Sequence, residues 1–359
     1  MEPLQITIGM LDLMVCPAFC VKDGIVAGAN KDAQRCLIQP GTPIEALLPE
    51  DPEEYRGFQE GCLYLTLNIM GQCFGASVTK NGEFDIFILE EEADRAELNA
   101  MALAAQELRE PLTNVMTIAD RLFPVVGTDD GTQDQVARIN RGLFQMLRVI
   151  SNMSDAARYT QNTSPNYELR DITSIMEELF QSAGSLIRQA GVSLEFRNLP
   201  ESIYTLVDPE MLERAVYNLL SNALKFTPRD GTIEAVLVRR GKKLYLTVQD
   251  SGSGVAPGIR SSIHARYQRQ PGLEDSRFGI GLGMVLIRAA AAAHGGTVLM
   301  EHPEGKGARI TLTLQIRQPS GGNFRSNVMK VDYAGERDHG LIELSDALPA
   351  SLYKTEHIN

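Results

Sequence analysis

Three side chains in the second half of the chain have the types and spacing to grip a metal-bound triphosphate. Asn218, Asn222 and Lys225 stand at i, i+4 and i+7 in the run Asn218-Leu219-Leu220-Ser221-Asn222-Ala223-Leu224-Lys225-Phe226-Thr227-Pro228. A helix over that run carries all three on one face, which offers two amides and one ammonium. Further on, Gly279-Ile280-Gly281-Leu282-Gly283-Met284 opens a helical stretch running to Ala293. Glycine amides at a helix N-terminus form a site for phosphates. Between the two, Asp250-Ser251-Gly252-Ser253-Gly254 follows the strand-like run Leu244 to Val248, and its glycines let the backbone come close to a ligand. One glycine-rich segment has little specificity, whereas three motifs in a fixed order have much more.

That order and spacing resemble the ATP-binding domain of sensor histidine kinases, a fold shared with gyrase-type ATPases. The resemblance implies ATP and Mg²⁺ as cofactors. It implies that Asn222 ligates the metal through its amide oxygen, which suits a hard cation. Asn218 supports the metal or an attacking group, and Lys225 meets phosphate as a point charge. Asp250 accepts a hydrogen bond from the adenine amino group, beside Gly252 and Gly254. Gly279, Gly281 and Gly283 face the phosphates. His294-Gly295-Gly296 and Gly305-Lys306-Gly307 match the family's closing strand pair, with His294 structural rather than catalytic. The lid, residues 255–278, departs from the family's Phe-x-x-Phe pattern and reads Ile263-His264-Ala265-Arg266-Tyr267. Arg266, Arg269 and Arg277 there are either phosphate contacts or a solvated basic loop.

A second resemblance lies upstream. The segment Ala105-Gln106-Glu107-Leu108-Arg109-Glu110-Pro111-Leu112-Thr113-Asn114 is similar to the phospho-acceptor box of the same family, which reads His-Glu-Leu-Arg-Thr-Pro-Leu. Here glutamine replaces the acceptor histidine. Phosphoryl transfer needs an in-line nucleophile, and a histidine ring nitrogen supplies one near neutral pH. A carboxamide nitrogen has its lone pair delocalised. Gln106 therefore marks a degenerate acceptor position, and Glu107, the family's general base, has no partner to activate. The family's phosphatase activity uses Thr or Asn three residues after that acid; Glu110 stands there instead, so phosphatase activity is not expected either.

The elements that must position these groups fall into four stretches, giving a multidomain α+β chain. Residues 8–90 read as a small α+β domain. Met14 to Phe19 and Gly24 to Ala27 look like strands joined at Lys22-Asp23-Gly24, a hairpin signal. Asn30-Lys31-Asp32-Ala33 starts a helix, and Gly61 to Ile69, Gln72 to Val78 and Phe84 to Leu89 are strand-like. This order resembles a PAS domain. Residues 91–160 switch to helical period: Leu98, Met101, Ala105, Leu108, Leu112, Val115, Ala119 and Leu122, then Val136, Ile139, Leu143, Met146, Ile150 and Met153. Two such stripes predict a helical hairpin. Two helices bury little alone, so a dimeric four-helix bundle is expected, as in the family's dimerisation and phosphotransfer domain. Pro111 should kink the first helix. Residues 165–317 alternate helices and strands as the α/β-sandwich ATP-binding domain, and 318–359 form a polar tail whose Leu341-Ile342-Glu343-Leu344, Leu348 and Leu352 can dock on the body.

Composition bounds the partners. The chain has 359 residues, 43% hydrophobic and 22% charged, with a net charge of −12. A nucleic-acid or anionic-membrane partner needs a basic face, so neither is expected. No apolar run approaches the ~18 residues that span a bilayer, and Met1-Glu2-Pro3-Leu4-Gln5 lacks a signal's basic region; the expectation is a cytoplasmic protein. All five cysteines, Cys16, Cys20, Cys36, Cys62 and Cys73, lie in the first 73 residues. They read as small buried hydrophobes, the alternative being a redox or metal sensor around Cys16 and Cys20 that lacks a nearby histidine.

These features imply a histidine kinase-like signalling protein that binds ATP–Mg and does not phosphorylate itself, a homodimer whose partners are a response regulator or another kinase. One alternative is an active kinase of the same fold working in trans on a histidine, serine or threonine. Another holds the nucleotide only as a structural ligand.

Overall fold

The computed structural model describes residues 8–14, 16–48, 53–90, 92–126, 129–160, 164–252, 281–303, 307–318 and 337–355. Its first part is a five-stranded antiparallel sheet: β1 (Ala18–Lys22), β2 (Ile25–Ala29), β3 (Cys62–Ile69), β4 (Gln72–Asn81) and β5 (Phe84–Leu89), in the order β2-β1-β5-β4-β3. Two short helices, α1 (Lys31–Arg35) and α2 (Glu53–Gly57), lie between β2 and β3. The hairpins follow from local chemistry. Asp23 and Gly24 have φ of 50° and 77°, and Met70 and Gly71 have 53° and 83°, so both two-residue turns have the positive φ pair that matches strand twist. Asn30 caps α1 by accepting from Ala33 N, and the same oxygen accepts from Ala18 N. The first strand begins at Ala18 rather than Met14, because Pro17 has no N–H for the ladder.

Next come α3 (Glu92–Leu122) and α4 (Asp130–Thr160), each 31 residues long and packed against each other. The helical backbone of α3 runs on through Pro111. The apolar stripe read from the sequence divides in two. Leu98, Ala105, Leu112 and Ala119 are buried, while Leu108, Val115 and Leu122 are half or more exposed. On α4 Val136, Leu143 and Ile150 are buried, and Ile139 and Met146 are about half exposed. Each subset repeats every seven residues, so one set is turned inward and the other is left about half exposed among the described residues.

The remaining elements are β6 (Glu168–Asp171), α5 (Ile172–Gln189), β7 (Ser193–Arg197), β8 (Tyr204–Val207), α6 (Pro209–Phe226), β9 (Thr232–Arg240), β10 (Lys243–Asp250), α7 (Leu282–Ala293), β11 (Val298–Glu301), β12 (Arg309–Gln315) and the short α8 (His339–Glu343). The strands β11-β12-β10-β9-β7 form a mixed sheet in which only β7–β9 is parallel. Alternating burial along β10 marks one face as core, and α6 and α7 pack on the sheet. The sheet does not stop there. β11 pairs with β3 at Val298–Tyr64, Leu299–Leu63 and Met300–Cys62, joining both sheets into one of ten strands. Glu54 on α2 reinforces the join by accepting from Lys243 Nζ at 2.7 and 2.8 Å and from the Tyr245 hydroxyl at 2.9 Å.

Candidate nucleotide site

α6 is positioned by its own first turn. Asp208 caps it, accepting from Met211 N at 3.1 Å, and Pro209 takes the first helical position, where its missing N–H costs nothing. Leu212, Ala215, Val216, Leu219, Leu220 and Ala223 are buried and hold the helix in place. The three polar residues then meet different environments. Asn218 is 1% exposed. Its Nδ2 donates to Arg214 O at 2.8 Å, and its Oδ1 accepts from Arg148 Nη2 at 3.2 Å. Asn222 is half-buried, and its side-chain amide makes no hydrogen bond among the described residues. Lys225 Nζ donates to Asp346 Oδ2 at 2.8 Å, with its side chain 10% exposed.

Around this face lies a cluster of enclosed charges that draws on three parts of the chain. Arg148 of α4 donates to Asp346 Oδ2 at 2.6 Å and lies 3.6 Å from Glu343. Arg214 of α6 pairs with Glu343, bonds Asn152 Oδ1 at 2.8 Å and pairs with Asp155 at 2.8 Å. Burial raises the energy of charge on Asp346, but the pull of Arg148, Lys225 and Arg141 outweighs it and keeps its carboxyl below the usual range. Burial pushes the Lys225 ammonium down, and Asp346 only partly restores it. None of Arg148, Arg214, Glu343 or Asp346 stood out in the sequence. The available signal was a lone charge inside an apolar run, as in Leu147-Arg148-Val149 and Ile342-Glu343-Leu344, since such charges are almost never buried without a partner.

Asp250 ends β10 at 5% exposure. Its two carboxylate oxygens accept from Gly252 N at 2.8 Å and Ala308 N at 3.1 Å. Burial nonetheless raises its carboxyl above the ordinary value. Gly252 is required where it stands: a Cβ would lie 2.2 Å from Phe226 O at the end of α6. Gly283 is equally confined, with a Cβ 2.6 Å from Asn218 Oδ1, and Gly281 has φ of 84° just before α7. Gly252 and Gly283 thus pack against α6 itself. Gly254, Gly279, the lid segment with its three arginines, and Gly305-Lys306 lie outside the described residues.

His294, at the end of α7, is 1% exposed. Its Nε2 accepts from Asp208 N at 2.9 Å and its Nδ1 lies 2.7 Å from Ala290 O. A backbone N–H can only donate, so the proton sits on Nδ1 and the ring ties α7 to the start of α6. Gln106 and Glu107 are exposed on α3, apart from the buried cluster.

Cys20 is buried in β1, and burial raises its thiol; Cys73 is exposed. Among the described residues no three His, Cys, Asp or Glu side chains converge as metal ligands. A cavity of about 590 Å³ opens beside α2, where Tyr55 donates to Asp85 at 2.7 Å and Lys80 Nζ lies 5.0 Å from the Phe58 ring centre.

Residues 207–318, spanning α6 to β12, match the family described as histidine kinase-, DNA gyrase B- and HSP90-like ATPase. The sensor histidine kinase TmoS of Ectopseudomonas mendocina is 27% identical over 241 residues, 66% of this chain and 25% of TmoS. Residues 207–318 thus carry an ATPase domain of this type, and the chain is similar to sensor histidine kinases. The histidine protein kinase DivJ of Caulobacter vibrioides is 30% identical over 241 residues, covering 62% of this chain and 40% of DivJ. Between these two, the chain spans 25% to 40% of its relative's length. Full-length ShkA, crystallised with AMPPNP, overlays with a TM-score of 0.49 at 22% identity, covering 62% of this chain and 47% of ShkA. Among the described residues, no helix is long and apolar enough to cross a membrane.

Proposed function

We propose that this protein is a histidine kinase-like signalling protein that binds ATP–Mg on α6 and α7 and cannot phosphorylate itself at position 106. Residues 8–90 serve as a PAS-like input unit. Residues 91–160 form half of a four-helix bundle completed by a second copy, through Leu108, Val115, Leu122, Ile139 and Met146. In the nucleotide site Asn222 ligates the metal, Lys225 meets phosphate, Asp250 orients adenine, and Gly252, Gly281 and Gly283 shape the cradle. Asn218 supports Asn222 from within α6.

The observation that carries the reading is the exposed position of Gln106 on α3. A side chain there is free to meet an incoming phosphate, yet a carboxamide has no nucleophilic lone pair to offer. The output is then a binding event with a response regulator or another kinase. A second reading, in which the nucleotide site works on an acceptor in trans, is equally compatible with Asn218, Asn222 and Lys225.

The test is incubation with γ-labelled ATP of the wild type beside Gln106→His. Acid-labile phosphate on the substituted protein alone supports a working ATP site that lacks an acceptor. Stable phosphate on wild-type α3 overturns the proposal. Label on an added partner protein moves the assignment to the second reading.

A further inference from the structure

We infer that the C-terminal segment, residues 337–355, is a built-in competitor of the nucleotide: Asp346 occupies Lys225 and, through Arg148, ties the α3–α4 hairpin to α6. The inference rests on the assignment of α6 as the ATP site and adds a regulation of it.

The segment is held as a folded part of the molecule. Leu341, Ile342, Leu344, Leu348, Leu352 and Tyr353 are buried, Ile342, Leu344, Leu348 and Tyr353 at 0% exposure. Asp338 caps α8 by accepting from Leu341 N at 2.9 Å. The segment also reads α4 residue by residue. Asn140 donates to Tyr353 O at 3.0 Å, Arg141 to Ser345 O and Asp346 O at 3.1 Å each, and Gln145 to Ser345 O at 3.2 Å. Arg337 pairs with Asp120 of α3 and His339 with Glu213 of α6. The segment therefore clamps both long helices to the ATP-binding unit.

Its chemistry at Lys225 is that of a phosphate substitute. An ammonium and a guanidinium converge on the single oxygen Asp346 Oδ2, at 2.8 and 2.6 Å. A triphosphate brought to Lys225 would add negative charge beside this carboxylate, where little water screens the repulsion. Nucleotide and Asp346 cannot both hold Lys225, so binding one releases the other. Once Asp346 leaves, Arg148 keeps, among the described residues, its contacts to Asn218 and Glu343, and the hairpin loses a tie to α6. Linkage is reciprocal: whatever pulls residues 337–355 away raises nucleotide affinity by the same factor that nucleotide loosens the segment.

The experiment uses the full chain. AMPPNP–Mg binding is measured by calorimetry for the wild type and Asp346→Asn, a nearly isosteric change. Amide exchange of residues 340–353 is followed in the wild type with and without AMPPNP–Mg. The expected result is about tenfold tighter binding by Asp346→Asn, the size of one lost charge-assisted contact, and faster exchange of the segment in the loaded wild type. Equal affinities with unchanged exchange overturn the competition and leave the ATP assignment standing. Absence of binding by either protein overturns both. Should Asp346→Asn fail to fold, the exchange measurement on the wild type decides alone.

Discussion

Arg214 and Glu343 are 129 residues apart in the chain and form an ion pair with both side chains at or below 1% exposure. The pair stands between α6 and α8, and Arg214 also holds Asn152 and Asp155 of α4. Three parts of the protein share one guanidinium.

Breaking this pair from one side leaves charge with no water to solvate it. Glu343→Ala is expected to cost about 1–3 kcal/mol, less than the ~3–5 kcal/mol of a fully orphaned buried charge, because Arg214 keeps Asp155 and Asn152. Glu343→Gln, which keeps a hydrogen-bond acceptor for Arg214, should cost less. Urea unfolding curves followed by circular dichroism check both values, and a loss below 1 kcal/mol for Glu343→Ala would show that the site stays wet.

The glycines beside α6 leave no room for a methyl group. Gly252→Ala puts a Cβ 2.2 Å from Phe226 O, a backbone atom, and Gly283→Ala puts one 2.6 Å from Asn218 Oδ1. Overpacking of this kind costs about 1–3 kcal/mol. Gly252→Ala is expected to be the worse, because a side-chain amide can yield and the helix end cannot. Both should weaken AMPPNP–Mg binding in calorimetry.

His294 makes stability depend on pH. Burial lowers its pKa from the ordinary 6.5, while the unfolded chain takes up a proton at that value. The contribution is complete above pH 6.5 and is lost as pH falls toward the folded value. Below 6.5 the slope approaches about 1.4 kcal/mol per pH unit for one group. Protonation would also aim Nε2–H at the donor Asp208 N. Urea midpoints at several pH values should fall with acid for the wild type and fall less steeply for His294→Gln.

The exposed half of the apolar stripe is expected to hold two copies together. Val115→Glu with Leu122→Glu places charges on residues that are 52% and 50% exposed, so the chain should fold and lose its partner. Sedimentation should give a dimer for the wild type and a monomer for the double variant, with unchanged circular dichroism. A wild-type monomer at micromolar concentration would remove the bundle from the reading.

Sequence patterns revealed what is local. Phe84 to Leu89 is a strand at the bounds read from its alternation, Asn30 is a helix cap, and the i, i+4, i+7 face of α6 is where the spacing puts it. The start of β1 at Ala18 is harder to read, because apolar Met14 and Cys16 extend the strand-like pattern past Pro17, which has no N–H for the ladder. Patterns could not reveal what fills that α6 face. Lys225 meets Asp346 across 121 residues and Asn218 meets Arg148 across 70, and period says nothing about which distant charge arrives. The union of the two sheets was equally hidden, since the β3–β11 pairing leaves no periodic trace in either strand.

That union also disposes of exposed strand edges. A sheet edge carries unpaired N–H and C=O groups that recruit other chains. β11, on its own, would be such an edge, and β3 covers it. At the far end β2 is sheltered by the stretch around Thr42 and Pro43, which bonds Val26 N and bridges Ile25. At the other end of the ten-stranded sheet stands β7, five residues long with Glu195 and Arg197 along it, too short and too charged to template a fibre. The contact that links the first ninety residues to the ATP-binding unit thus also closes an edge at which strands of other chains could add.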